Sequence, residues 1–459
     1  MRRSLPVTLA AAVALAACSD TPVSPLDDSV ETVRADAASA AVAVVDNDAD
    51  AGPGSLRAAI ARANASSSVQ QIIIKRGVGT IALTEPVVFD GGQRLRIDGN
   101  GVAVDGSAIA YTAEAEVTGE ADPAPSALQF VGGGDLIVQD LAVMEATGHG
   151  VYVEVPASAG NVSVFFNRVA LENNGLSGLW VDDQVHDSDA SVTVRLNRVS
   201  VIDNGFRPDV FDYDGVRVNE GGNGDLRVEL NFVTATGNAG DGVEVDERGY
   251  GDVWMWSRFS TYNDNGTQPQ NTDDLEDGLD ADEIGPGSIY AYVQGGEISR
   301  NQDEGFDLDE EGTGDIRAVV IGVTLRENQD DNVSYTEDEE FEEGGDVIHL
   351  FHRVVAEGSR DGDGIKLEEF GPGSLKGSMS SMELRDNADE AVQYEEVGDG
   401  DLDVLVTDSE VADNAGGGLQ VEQKDAGSGI IRLRNVDFDD NGDGPEDEIK
   451  DEGVVIRDS

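Results

Sequence analysis

The chain of 459 residues has one cysteine, Cys18, so no disulfide can form within it. Aromatic residues make up 5% of the sequence, which excludes a core built on large rings and leaves Val, Ile, Leu and Ala to fill it. Positive charge is scarce. Against 92 Asp and Glu stand 30 basic residues, of which five are Lys (Lys75, Lys366, Lys376, Lys424 and Lys450), leaving 25 Arg. A formal charge of −62 argues against nucleic acid, whose binding needs clustered Lys and Arg to displace counterions. It fits cations, a cationic surface or a salty medium.

What is present begins with an export signal. "MRRSLPVTLAAAVALAACSD" carries Arg2 and Arg3, an apolar run too short to span a membrane as a helix, and small residues ahead of Cys18. "LAAC" (15–18) resembles the lipobox of bacterial lipoproteins. That resemblance implies removal of a signal peptide, 1–17, and a membrane anchor through lipid on Cys18. With Ser19 following, it implies the outer membrane, the body facing the periplasm or the cell surface. Residues 18–45, small, acidic and Pro-containing, read as a flexible tether. The rest, 46–459, is expected to be a single domain.

That domain is a repeat. A turn residue, a small residue and an apolar–any–apolar triplet begin at 149 (HGVYV), 177 (SGLWV), 214 (DGVRV), 241 (DGVEV), 277 (DGLDA) and 304 (EGFDL). They recur at 331 (DNVSY), 363 (DGIKL), 390 (EAVQY), 417 (GGLQV) and 452 (EGVVI), with a base period of 27 residues and occasional insertions. A second period-two strand follows eleven residues on, as in DLRVEL (225) and DIRAVV (315). Twenty-four residues on comes asparagine: Asn173, Asn204, Asn238, Asn265, Asn301, Asn328, Asn387, Asn414 and Asn441, with Ser359 in the one remaining place. One such unit cannot bury its apolar face alone, whereas stacked units pair each strand with its copy above and below. At about 4.8 Å per coil, eleven coils span roughly 53 Å.

This pattern resembles the right-handed parallel β-helix, the pectin-lyase-like architecture with its asparagine ladder. The expected fold is therefore all-β, a solenoid of about 11–14 coils, irregular over 72–148 and regular over 149–459. "GPGSLRAAIARAN" (52–64) strengthens the resemblance, since a similar phrase in bacterial β-helix proteins forms an amphipathic helix that plugs the open end. Ser55 is placed to cap such a helix over 54–64, and a plug protects the edge strands.

In "DGVEVDE" (241–247) Val243 and Val245 must face inward, so Glu244 and Asp246 face out. The same register puts Asp280, Asp282, Asp307 and Asp309 on the next two coils, with Glu247, Glu283 and Glu310 at the turn, nine carboxylates on one face. Neighbours at about 4.8 Å repel by about 1 kcal/mol in water and roughly 3.5 kcal/mol at an effective dielectric of about 20. Calcium, which takes six to eight oxygens, is one neutraliser. Concentrated salt is the other. Acidic stretches elsewhere, "YTEDEEFEE" (335–343) and "YEEVGDGD" (394–401), suit the salt reading, and both stand. "DNDADAG" (46–52) and "DDNGDG" (439–444) only partly match a calcium loop; in the second, Lys450 stands where the closing Glu belongs.

Many relatives of this fold cleave acidic polysaccharides, but a fold does not confer a function. The polygalacturonase motifs are out of order here: "GHG" (148–150) precedes "NTDD" (271–274). Pectate lyases pair calcium-binding carboxylates with a basic residue, which here points to Arg217. Tyr152, Trp180, Arg217 and Lys366 share one outward column with the acids and make a candidate sugar-binding groove. His349 and His352 in "VIHLFHRVV" read as packed side chains. Insertions at 206–213, 266–276 and 442–451 share a turn and form a candidate rim. Two functions follow: a lipid-anchored scaffold binding carbohydrate or a cell surface, or a polysaccharide lyase acting on acidic glycans.

Overall fold

The computed structural model describes residues 41–111, 125–183, 188–207, 213–267, 276–337, 344–442 and 448–458. The signal peptide, Cys18, NTDD (271–274) and most of the inserted rim lie outside these residues.

The first described residues are already strand. Ala41–Val45 pairs in parallel with Val69–Ile74, with Ala43 and Val45 buried. Residues 41–45, expected in the tether, are therefore strand, because alternating Ala and Val favour a half-buried strand over solvated chain. The expected capping helix forms over Leu56–Asn64, two residues shorter at its start than the 54–64 read from the sequence. Ser55 caps it by accepting the Ala58 N–H at 3.2 Å, and Leu56, Ala59, Ile60 and Ala63 turn into the core.

Beyond it, each coil adds one strand to a 13-stranded parallel sheet, face I, running from Val87–Phe89 to Ile449–Glu452. A second continuous sheet supplies faces II and III. Its long strands, such as Val253–Asn263 and Ile289–Ser299, turn the corner between those faces at a residue with positive φ, Phe259 (52°) or Gly295 (61°). The chain is a right-handed parallel β-helix of about 13 turns. The 27-residue period is the pairing register: Val216 meets Val243, and Asp309 meets Thr336. Even the irregular early coils join face I, Leu128–Phe130 lying between Val87–Phe89 and the Val151 strand.

The core is the expected column of Val, Ile and Leu, with rings at Phe166, Phe306, Phe351, Tyr335 and Tyr394. His349 is among them, its Nε2 3.2 Å from Tyr394 Oη. At the corner before face I the asparagines form a ladder. Asn238 sends both its backbone N–H and its side-chain amide to Asn265 Oδ1, at 3.2 and 3.0 Å, and the pattern repeats from coil to coil. One member differs from expectation. Asn174, not Asn173, occupies the first rung, with its N–H 3.1 Å from Asn204 Oδ1, while Asn173 is exposed with φ of 56°. That coil is one residue longer, Val151 to Val162 covering eleven positions where Val216 to Leu226 covers ten, so the extra residue lies in the turn after face I. At Ser359 the backbone keeps the bond to Asn387 (3.2 Å), and Asn332 bridges the missing side chain between Asn328 and Asn387.

Candidate functional site

The outward columns of face I are aligned as the repeat requires. Tyr152, Trp180, Arg217 and Glu244 lie side by side on successive strands, and Asp280 and Asp307 continue the row. Ser334 and Lys366 follow. A second row holds Asp182, Asn219, Asp246, Asp282 and Asp309. Val243, Val245, Leu279, Phe306 and Leu308 are fully buried beneath, which fixes the acids on the outer surface of the sheet.

Arg217 sits at the junction of two chemistries. Its guanidinium is 2.6 Å from Glu244, 3.4 Å from Asp246 and 3.5 Å from Asp214. A guanidinium held by three carboxylates stays charged, so its evident role is to neutralise this end of the acidic array. On its other side Tyr152, Trp180 and Tyr213 form an aromatic cluster with His149, whose ring centroid is 4.9 Å from Trp180 and 5.5 Å from Tyr213. Tyr152 donates to Asp182 Oδ2 at 2.9 Å, and burial pushes Asp182 up to about 6. Burial, and then Arg217, pushes His149 down to about 3.

This packing corrects the groove expected from the sequence. Tyr152 and Trp180 are 1% and 7% exposed, so neither ring offers a face for a sugar to stack on. Lys366 remains partly exposed and pairs with Glu368 at 3.1 Å. Lys450, which spoils the second calcium-loop reading, places its ammonium 2.8 Å from both Glu390 Oε1 and the Gly416 carbonyl. In the first such loop Asp50 is held by Arg57 at 2.6 Å, and Lys75 lies 3.3 Å from Asp46.

Away from Arg217 the acids converge without a cation. Asp277, Asp280 and Asp307 each offer a carboxylate oxygen, all within 4.8 Å of one another, and none of the three makes an ion pair among the described residues. Burial first, then repulsion from surrounding carboxylates, Glu304 on Asp277, Asp282 on Asp280 and Asp309 on Asp307 foremost, raises all three well above the ordinary carboxylate range. Asp307 Oδ1 is buried without a hydrogen-bond partner. Asp214, Asp241 and Glu276 make a second convergent trio at the adjoining turn. There the carboxylates also serve the backbone, Asp241 N–H donating to Asp214 at 3.0 Å and Glu304 N–H to Asp277 at 2.7 Å. The donor set is all oxygen, which suits calcium or magnesium rather than zinc.

The nine-carboxylate face needs one correction. Glu247, Glu283 and Glu310 are fully buried and point inward, because the alternation of the strand continues through them. Glu310 accepts the Gly312 and Gly314 N–H groups at 3.2 and 2.9 Å, and Glu247 accepts those of Gly249 and Gly251 at 3.0 and 3.3 Å. The signal was present as a recurring E-x-G-x-G, in "ERGYG" (247–251) and "EEGTG" (310–314).

No protein-family model matches the chain, and no curated protein matches it. Solved structures do. A mutant of the periplasmic alginate epimerase AlgG matches at TM-score 0.43 and 9% identity, covering 81% of this chain and 74% of that one. A pectate lyase matches at 0.40 and 15% identity, covering 70% and 77%. The A-module of a mannuronan C-5 epimerase from Azotobacter vinelandii matches at 0.37 and 12%, covering 90% and 95%. At these identities and scores the likeness carries no residue correspondence, and the architecture rests on the strand pairing of the chain itself.

Proposed function

We propose that the chain is an exported, lipid-anchored β-helix that binds at the cell envelope without catalysis, face I holding calcium through which an acidic polysaccharide is engaged. The observation that carries this reading is the Asp277–Asp280–Asp307 trio: three converging carboxylates with no protein cation among the described residues, beside Asp214, Glu244 and Asp246, which Arg217 does neutralise. A bound divalent ion replaces the missing guanidinium and inverts the local repulsion. Its outer coordination positions then accept carboxylates of a uronate chain, which a bare polyanionic surface repels. Asp280 and Asp307 are the central ligands, with Asp282, Asp309, Glu244 and Asp246 on the flanking coils.

The test is thermal unfolding of the full chain at low ionic strength, with calcium titrated against sodium chloride of matched ionic strength. A saturable rise at sub-millimolar calcium, weakened in Asp280→Asn, is the expected result. Stabilisation by sodium chloride equal to that by calcium would return the carboxylates to the salt-adapted reading. Retention on an alginate or pectate column should then require calcium and release with chelator.

A second reading, a polysaccharide lyase, draws on the Tyr152–Asp182 hydrogen bond beside Arg217. It ranks behind because Tyr152 is buried. Ultraviolet-absorbing unsaturated ends released from a uronate polymer, and lost in Arg217→Ala, would promote it.

A further inference from the structure

The inward glutamates of face I continue past the site described above. Glu337, Glu369 and Glu396 take the same interior position on three successive coils, and all three are fully buried. Each folds back beneath a glycine turn. Glu337 accepts the Gly345 N–H at 3.1 Å, and a Cβ added at Gly373 or Gly400 would lie 2.8 or 2.9 Å from Oε1 of Glu369 or Glu396. Glu369 and Glu396 face each other's carboxyl group and the N–H groups of Gly373 and Gly400, but none of their carboxyl oxygens, nor Glu337 Oε2, completes a well-formed hydrogen bond.

An ionised carboxylate accepts and cannot donate, so two of them facing each other across one coil, about 4.8 Å, lack anything to hold between them. Among the described residues the charged groups acting most strongly on the column are acidic, Glu310 on the coil before Glu337, Asp346 beside Glu369, and Asp401 and Asp425 beside Glu396, while Lys376 is held by Asp346 at 3.5 Å. Calcium wants six to eight oxygens, more than two stacked carboxyl groups supply. The hydrogen ion needs two.

We propose that Glu337, Glu369 and Glu396 form a proton-sharing column, in which each retained proton bridges two stacked carboxyl groups and ties one coil to the next, so that the stability of this part of the solenoid is set by pH. The next rung supports it. Gln423 stacks on Glu396, and its amide is the neutral isostere of a protonated glutamate, accepting the Leu402 N–H at 3.0 Å. The shifts agree with the geometry: burial, followed by the stacked neighbours, raises Glu337 to about 9 and Glu369 to about 8, and burial raises Glu396 to about 7. All lie above the unfolded value of about 4.3. The folded chain therefore binds more protons than the unfolded chain between about pH 4 and about pH 9, and stability from these groups is complete below that window and declines as pH rises through it.

General repulsion in so acidic a chain gives the same sign, so the experiment needs a matched control. Thermal unfolding of the full chain, in chelator and at fixed ionic strength, is compared from about pH 5 to about pH 9 for wild type, Glu369→Gln, Glu396→Gln and the exposed Glu410→Gln. The two inward variants should match wild type at the acid end and exceed it by several degrees at the alkaline end, while Glu410→Gln runs parallel. Inward variants that run parallel to wild type, or fall below it at every pH, overturn the proposal. A second readout holds if a variant fails to fold. The folded wild type at neutral pH should show a protonated-carboxyl infrared band that vanishes on unfolding, and its absence also overturns the proposal. Chelator is present throughout, so failure here leaves the calcium reading of the outward trio untouched.

Discussion

Arg217 shows how one residue decides the state of its neighbours. It is 14% exposed at the side chain, and Glu244 and Asp246 beside it are nearly or fully buried. Removing one partner of a buried ion pair leaves an uncompensated charge and costs about 3–5 kcal/mol. Arg217→Ala should therefore lose about that much stability near pH 8, read by urea unfolding, since guanidinium is itself a cation. The loss should shrink near pH 5, because burial raises Glu244 well above the ordinary range and lets it take up a proton in place of the arginine. An equal loss at both pH values would mean that Arg217 acts by packing and not by charge.

At the scale of the element, the turn after face I is the most constrained part of each coil. Its glycines stack so closely that a Cβ on Gly314 would meet the Gly287 carbonyl at 1.3 Å, and one on Gly400 would meet Gly373 at 1.4 Å. Close backbone approach, not flexibility, is what glycine provides here. Gly314→Ala should abolish the cooperative unfolding transition or lower its midpoint by many degrees. Gly160→Ala meets nothing within 4 Å and should stay close to wild type in the same assay. The turn also explains the inward glutamates, whose carboxylates accept the glycine N–H groups that a bend would otherwise bury unpaired.

For the whole molecule, the charge of −62 is arranged rather than spread evenly. One outward face gathers converging carboxylates, one interior column gathers glutamates, and at the asparagine corner acids such as Asp264, Asp386 and Asp413 directly precede the buried amides. The capped end of the solenoid carries Leu56 and Ile60 over the first strands, covering backbone edges that would otherwise recruit other chains. The proposed anchor acts at this scale too. Cells expressing the protein should incorporate labelled fatty acid into it, and Cys18→Ser should abolish that labelling and release the chain from membranes. Unchanged partitioning in that variant would remove the lipid anchor from the proposal.

Sequence alone settled whatever depends on the period. In a parallel stack a 27-residue offset becomes contact between neighbours, so Glu244, Asp280 and Asp307 could be set in one row, and the asparagines in one corner, without coordinates. Strand parity was equally legible where strands run straight. What the sequence left undecided lies at the turns and in the third dimension. One extra residue in the turn between Glu154 and Val162 shifts the ladder from Asn173 to Asn174, and parity carried one residue further sends Glu247 inward instead of outward. Tyr213, brought in by an insertion, packs with Tyr152 and Trp180, which are buried where the row alone made them outward. Local alternation fixes the side of a sheet, but only the tertiary path of the corners and insertions fixes which groups remain in water.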